Sequence, residues 1–303
     1  MWFWVVVGLL AHTGWGAYPV FSRYLQTISR LPSLSLLAMG NLVVLLVGGL
    51  SIFPRLDKSL FQKRIMWGFA AIVMVRAVTN LLAARFTLSI YVQLISQMTP
   101  FVVALVSLLV LRQTLPPYTG RAVGVCLLGA ALMMGGDLGE VTAVSRQDIL
   151  GIGLAVTSTI FLAVYMLLVR RTATLDIPGE ALLMVHVVAL FVFSLSASFL
   201  LGEDWQRWQQ METVDWLVFA GFSVGVLLFA NLGQIQAIGA LGAPLVSSMM
   251  AWRLVSALGF GALLLNERLT TWWQALGAVV VLVTITWYLR RQGRDGKSLM
   301  NND

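Results

Sequence analysis

AAIVMVRAVTNLLAA, residues 70–84, reads as the middle of an apolar helix with Arg76 at its centre. The apolar run extends over 65–85, close to the roughly 20 residues that cross a bilayer. An arginine at mid-bilayer costs from about 2.5 to more than 10 kcal/mol. A chain that keeps one there uses it either as a structural cation or as a receptor for negative charge.

The whole composition agrees with a bilayer setting. The 303 residues are 59% hydrophobic and 11% charged, with a mean hydropathy of +0.86. Soluble domains carry about 25% charged residues, so this chain lacks the polar residues to cover a soluble surface. The fold class is an all-α polytopic membrane protein. The formal charge of +7 then reflects loop placement and gives no reason to expect nucleic acid. A single cysteine, Cys126, excludes an internal disulfide and a multi-cysteine metal site. No cofactor motif is present. The N-terminal MWFWVVVGLLAHTGWG has no Lys or Arg ahead of its apolar run and reads as a retained span.

Ten intervals are apolar enough to span: 2–22, 33–53, 65–85, 88–111, 119–136, 149–169, 180–201, 215–235, 243–265 and 271–289. The polar stretch 290–303 reads as a disordered tail. With the N-terminus inside, 12 Lys and Arg fall in the tail and in or beside inner loops, 6 in or beside outer loops, and Arg76 and Arg253 deep within spans. That bias puts both termini in the cytoplasm, in a cell (inner) membrane.

The halves resemble each other. Leu111 and Leu115 match Leu265 and Leu269, Gly124 matches Gly277, and AYPVFSR (17–23) matches VYMLLVR (164–170). A period near 150 residues divides ten spans into five and five: 1–145, then 146–289. An odd number inverts the second copy, the arrangement found in many secondary transporters.

The stretches TPFVVALVSLLVLRQTLPPYTGRAVGVCLLGAAL (99–132) and LLLNERLTTWWQALGAVVVL (263–282) carry a further resemblance. The chain resembles the drug/metabolite transporter superfamily, specifically its EamA-type permeases. Pro100, Leu115 and Gly124 fit the family pattern in the first copy; Arg112, Gln113 and Thr114 depart from it. In the second copy Leu265, Glu267, Arg268, Leu269, Gln274 and Gly277 fit, while Asn266 replaces a glycine and Leu254 a proline. The resemblance implies transport, in the export direction, through a cavity lined by spans 1, 3, 4, 6, 8 and 9.

Polarity inside those spans names the candidate residues. Span 1 carries Gly8, His12, Trp15, Gly16 and Pro19 on one face, with Tyr18 beside it. Span 3 has Arg76 and Asn80, span 4 Gln93, Gln97 and Pro100, and span 6 Ser158 and Tyr165. Span 8 has Asn231 and Gln234, and span 9 has Ser248, Trp252 and Arg253. Apart from Glu180 and Asp215, which are the first residues of their intervals, no Asp or Glu lies inside an interval, so Arg76 and Arg253 at mid-depth lack an evident counter-ion. Buried charges are normally paired, and a guanidinium fork suits a carboxylate or phosphate. The substrate-binding set is therefore Arg76, Arg253, Asn80, His12, Tyr18, Gln93, Gln97, Tyr165, Gln234 and Trp252. Each has a bland reading beside it: anchoring for the arginines, interhelical hydrogen bonds for the amides, packing for the aromatics. Pro100 is expected to break span 4. Gly120/Gly124 and Gly221/Gly225 read as helix-packing stripes, and Glu267–Arg268 as a surface or hinge feature.

No phosphate loop, HExxH, paired carboxylates or Ser/His/Asp set is present, so the chain does not read as an enzyme. The expected function is secondary transport of a small anionic or zwitterionic metabolite, an amino acid or organic acid, by alternating access. The alternatives are a sugar-phosphate or nucleotide-sugar exchanger, and a membrane interaction protein without transport. His12 is the cavity residue able to carry a coupling proton.

Overall fold

The computed structural model describes residues 2–112, 117–134, 145–173, 175, 177–241, 246 and 249–300. All regular structure among them is helical. Leu115, Ser248 and the junction near residue 145 of the proposed halves lie wholly or partly outside the described residues.

A helix stands in each predicted interval. In the first half these are α1 (Trp2–Thr27), α2 (Ser33–Val44), α3 (Arg64–Phe86), α4 (Ser89–Ser96), α5 (Thr99–Leu111) and α6 (Thr119–Met134). In the second they are α7 (Arg146–Ala173), α8 (Gly179–Leu200), α9 (Thr213–Ala220), α10 (Asn231–Leu241), α11 (Trp252–Leu264) and α12 (Trp272–Met300). α2 runs on through a π-helical stretch, Leu45–Gly49, and a longer one, Gly221–Ala230, joins α9 to α10. Six helices among the described residues are long and apolar enough to cross a membrane, and seven if α4 and α5 form one broken span. This is the architecture of a multi-pass membrane protein. α1 is not among the six: it is long enough, but His12, Thr13, Tyr18 and Arg23 interrupt it.

Pro100 falls in the first turn of α5, and the axis bends by 42° between α4 and α5. Proline lacks the N–H that would continue the α4 hydrogen-bond ladder. The tail differs from expectation. No proline stops α12, and its backbone stays helical through Met300.

The helices pack in a repeating scheme. α1 lies against α11 and against the π stretch and α10, while α7 lies against α4, α5 and α3. α2 meets the π stretch as α8 meets α3, and α2 packs on α8 as α6 packs on α12. The α6–α12 seam depends on glycine, though not on the pair expected. Gly120 and Gly124 face open space, whereas a Cβ on Gly277 would stand 2.7 Å from the Met133 backbone nitrogen and hard against the Gly129 carbonyl. Gly277→Ala is expected to cost about 1–3 kcal/mol by overpacking. A lower unfolding temperature in detergent would show it; an unchanged one would mean that the seam is not tight.

Tyr18, Phe69, Phe222, Leu36 and Met184 are buried in the larger apolar core, which draws on both halves. The turns at 28–32, 87–88, 201–212 and 265–271 gather at one end of the bundle. Glu203 accepts there from the Ser35 N–H (2.7 Å) and the Ser198 hydroxyl (2.7 Å), and Trp208 donates to Ser35 Oγ (3.1 Å).

Candidate functional site

α1 supplies the floor of the site through its His12–Trp15 face. Gly16 lets α11 approach: a Cβ there would collide with the Arg253 carbonyl and the Ser256 side chain. α11 then turns Arg253 onto α1. Arg253 Nε donates to His12 Nδ1 (2.8 Å), and Nη2 donates to Gln234 Oε1 (3.1 Å). Because Nδ1 accepts, the remaining ring hydrogen of neutral His12 sits on Nε2, which donates to the Val246 carbonyl (3.0 Å). The histidine is 1% exposed and Arg253 9%. Every hydrogen-bond partner that Arg253 has among the described residues is thus neutral.

Arg76 enters from α3 and is half-buried. Its backbone is fixed by α7, where Ser158 Oγ donates to the Arg76 carbonyl (3.1 Å). Its guanidinium has no hydrogen bond or ion pair among the described residues. It lies over two rings instead, 5.0 Å from the centroid of Tyr165 and 5.8 Å from that of Trp15. The Arg253 guanidinium lies 5.6 Å from the same Trp15 ring. One indole therefore carries two cations. Cation–π contacts offset only about 0.5–2 kcal/mol each, and the ion pairs among the described residues are elsewhere, at Arg23–Glu267 and Arg207–Asp204.

Around this pair, Tyr165 meets Phe69 and the edge of His186, and Tyr18 packs between Trp15 and Phe222. Asn80, one turn beyond Arg76, has a buried Oδ1 without a hydrogen-bond partner among the described residues, and the buried Trp15 Nε1–H likewise has none. Gln97 Nε2 donates to the Met250 carbonyl (2.8 Å), tying the α4–α5 break to the turn that opens α11. Gln93 is buried without a side-chain hydrogen bond among the described residues.

Trp252 is not gathered with the others. It is 44% exposed, and its indole donates to Thr13 Oγ1 (2.9 Å) on an exposed side of α11. Successive helical residues point about 100° apart, so α11 turns Arg253 inward onto His12 and Gln234, and Trp252 onto Thr13 at the exposed side of α1. Trp15 is the residue that the expected set omits. Its place three residues after His12 on the polar face of α1 was the available signal. Glu267 is a second correction. It is buried and ion-paired to Arg23 at 2.9 Å, not a surface group.

No family model and no curated protein matches the chain. Among solved structures, a crystal structure described only as that of a protein is similar over 95% of this chain and 97% of its own. The TM-score is 0.65 and the identity 16%, a likeness that carries the fold alone.

Proposed function

We propose that this chain is a secondary transporter of a small anionic or zwitterionic metabolite, an amino acid or organic acid, held between Arg76 and Arg253. The observation that carries the reading is two guanidinium groups on one indole, neither with an acidic partner among the described residues. An ordinary core would not retain them. A ligand anion supplies the missing charge and takes the free fork of Arg76. The breaks add to the positive field. α5 begins just beyond Gln97 and α11 at Trp252, and helix N-termini carry partial positive charge.

Transport requires two arrangements of the helices around such a site. The packing scheme supports ten spans in two inverted halves. Exchanging α1 with α7, α2 with α8, α3 with α9–α10, α4–α5 with α11 and α6 with α12 maps the main contacts onto one another. This is the symmetry on which alternating access rests. The resemblance to drug/metabolite transporters favours export, and the basic loops favour cytoplasmic termini in an inner membrane. The end bearing residues 28–32 and 265–271 then faces outward.

A thermal-shift screen of purified protein tests the reading. A carboxylate ligand at 100 times its Kd adds about 2.7 kcal/mol, seen as a higher unfolding temperature. Stabilisation by cationic or uncharged solutes alone would refute the anion site.

A further inference from the structure

Glu267 follows α11 beside Asn266, whose backbone is left-handed (φ 53°). That turn brings the carboxylate inward, leaving its side chain 6% exposed. One oxygen stands 2.9 Å from Arg23 Nε. The two oxygens also accept from the Ser89 N–H (3.3 Å) and the Ser89 hydroxyl. Arg23 Nη1 in turn donates to the carbonyls of Ala84 (3.3 Å), Arg85 (3.4 Å) and Thr87.

Those carbonyls end α3, and Ser89 opens α4. The cation therefore sits at the negative C-terminal end of one helix, and the carboxylate at the positive N-terminal end of the next. Each charge has both its opposite charge and a helix end of matching polarity. Arg23, α3 and α4 belong to the first half of the chain and Glu267 to the second. A cavity of about 360 Å³ opens beside the pair, lined by Arg23, Thr27, Tyr91, Glu267, Arg268 and Gln274. Gln93 lies one helical turn inward of Ser89 and is 4% exposed.

We propose that Arg23, Glu267 and Ser89 form a clasp that fastens the two halves at this end of the bundle, so that the interior opens toward the 360 Å³ cavity only when the ion pair parts. The identification of that interior as a transport path rests on the transporter reading above; the fastening itself does not. Breaking the pair strands a carboxylate with two serine donors and a guanidinium with three carbonyls, so the open form is a minor population.

The experiment uses the full chain with Cys126→Ala and Gln93→Cys, labelled by a membrane-impermeant maleimide. Labelling is expected to be slow, and about tenfold faster once Glu267→Gln removes the charge and raises the open population. Ser89→Ala, which deletes one hydroxyl, is expected to give a smaller increase, and it decides the matter if Glu267→Gln does not fold. Exchanging the charges, Arg23→Glu with Glu267→Arg, is expected not to restore slow labelling, because each new charge opposes its helix end. Equal labelling rates with and without Glu267→Gln, or with and without Ser89→Ala where that variant decides, would overturn the clasp. Faster labelling without any stabilisation by anions would keep the clasp and remove the cargo assignment.

Discussion

Arg76→Gln is expected to weaken anion binding by about 10- to 150-fold, the loss of roughly 1.5–3 kcal/mol for a hydrogen bond to a charged group. The same substitution is expected to raise the unfolding temperature of the ligand-free protein. Arg76 has no polar partner among the described residues to abandon, and removing an unpaired, half-buried charge relieves both its desolvation and its repulsion with Arg253. Arg76→Lys keeps the charge but loses the planar fork and its seat over Trp15 and Tyr165, so it is expected to bind at an intermediate level. Opposite movements of stability and affinity mark a residue kept for its ligand. A structural cation would lose stability in both variants and leave affinity for anions unchanged, and titration calorimetry beside thermal unfolding distinguishes the two. Arg253→Gln differs because it also strips a donor from His12 and Gln234. Both affinity and stability are expected to fall there.

The helices were legible because a bilayer span writes itself as a local run of apolar residues. All ten intervals contain a helix, and the Pro100 break sits where the missing N–H demands it. Arg76, Arg253, His12 and Gln234 were legible for the opposite reason, being polar where polarity costs most. What escaped was pairing across the chain. Arg23 and Glu267 each read as loop charges, and no periodicity links α1 to the turn after α11. The left-handed backbone at Asn266 carries Glu267 inward, and nothing in a hydropathy pattern reports it. Trp15 is legible as part of the polar face of α1 but not as a seat for cations, because an indole in an apolar helix looks like packing until two guanidiniums are seen over it. Trp252 misled in reverse: its type suits a ligand platform, but its phase on α11 belongs to Arg253. The glycine seam was also misplaced. Spacing marks which glycines share a face, but only the register of α6 against α12 selects Gly129 and Gly277 over Gly120 and Gly124.

His12→Leu is expected to lower stability by about 3 kcal/mol, the scale of leaving a buried cation and a buried carbonyl without partners. The leucine approximates the ring's volume, so cavity formation contributes little. The loss comes from Arg253 Nε, which gives up its acceptor, and from the Val246 carbonyl, which gives up its donor. Arg253→Met alone leaves His12 Nδ1 and Gln234 Oε1 without a donor, a smaller cost because neither is charged. The double variant His12→Leu/Arg253→Met is expected to recover about 1–2 kcal/mol relative to the sum of the singles, because no buried guanidinium remains to be satisfied. Chemical unfolding of the four proteins measures this coupling. Strict additivity would mean that His12 does not hold Arg253, and the orientation of that guanidinium toward Trp15 would then need another cause. A positive coupling, together with normal anion binding by the His12→Gln variant, assigns the histidine to positioning Arg253 and leaves contact with the cargo to the arginines.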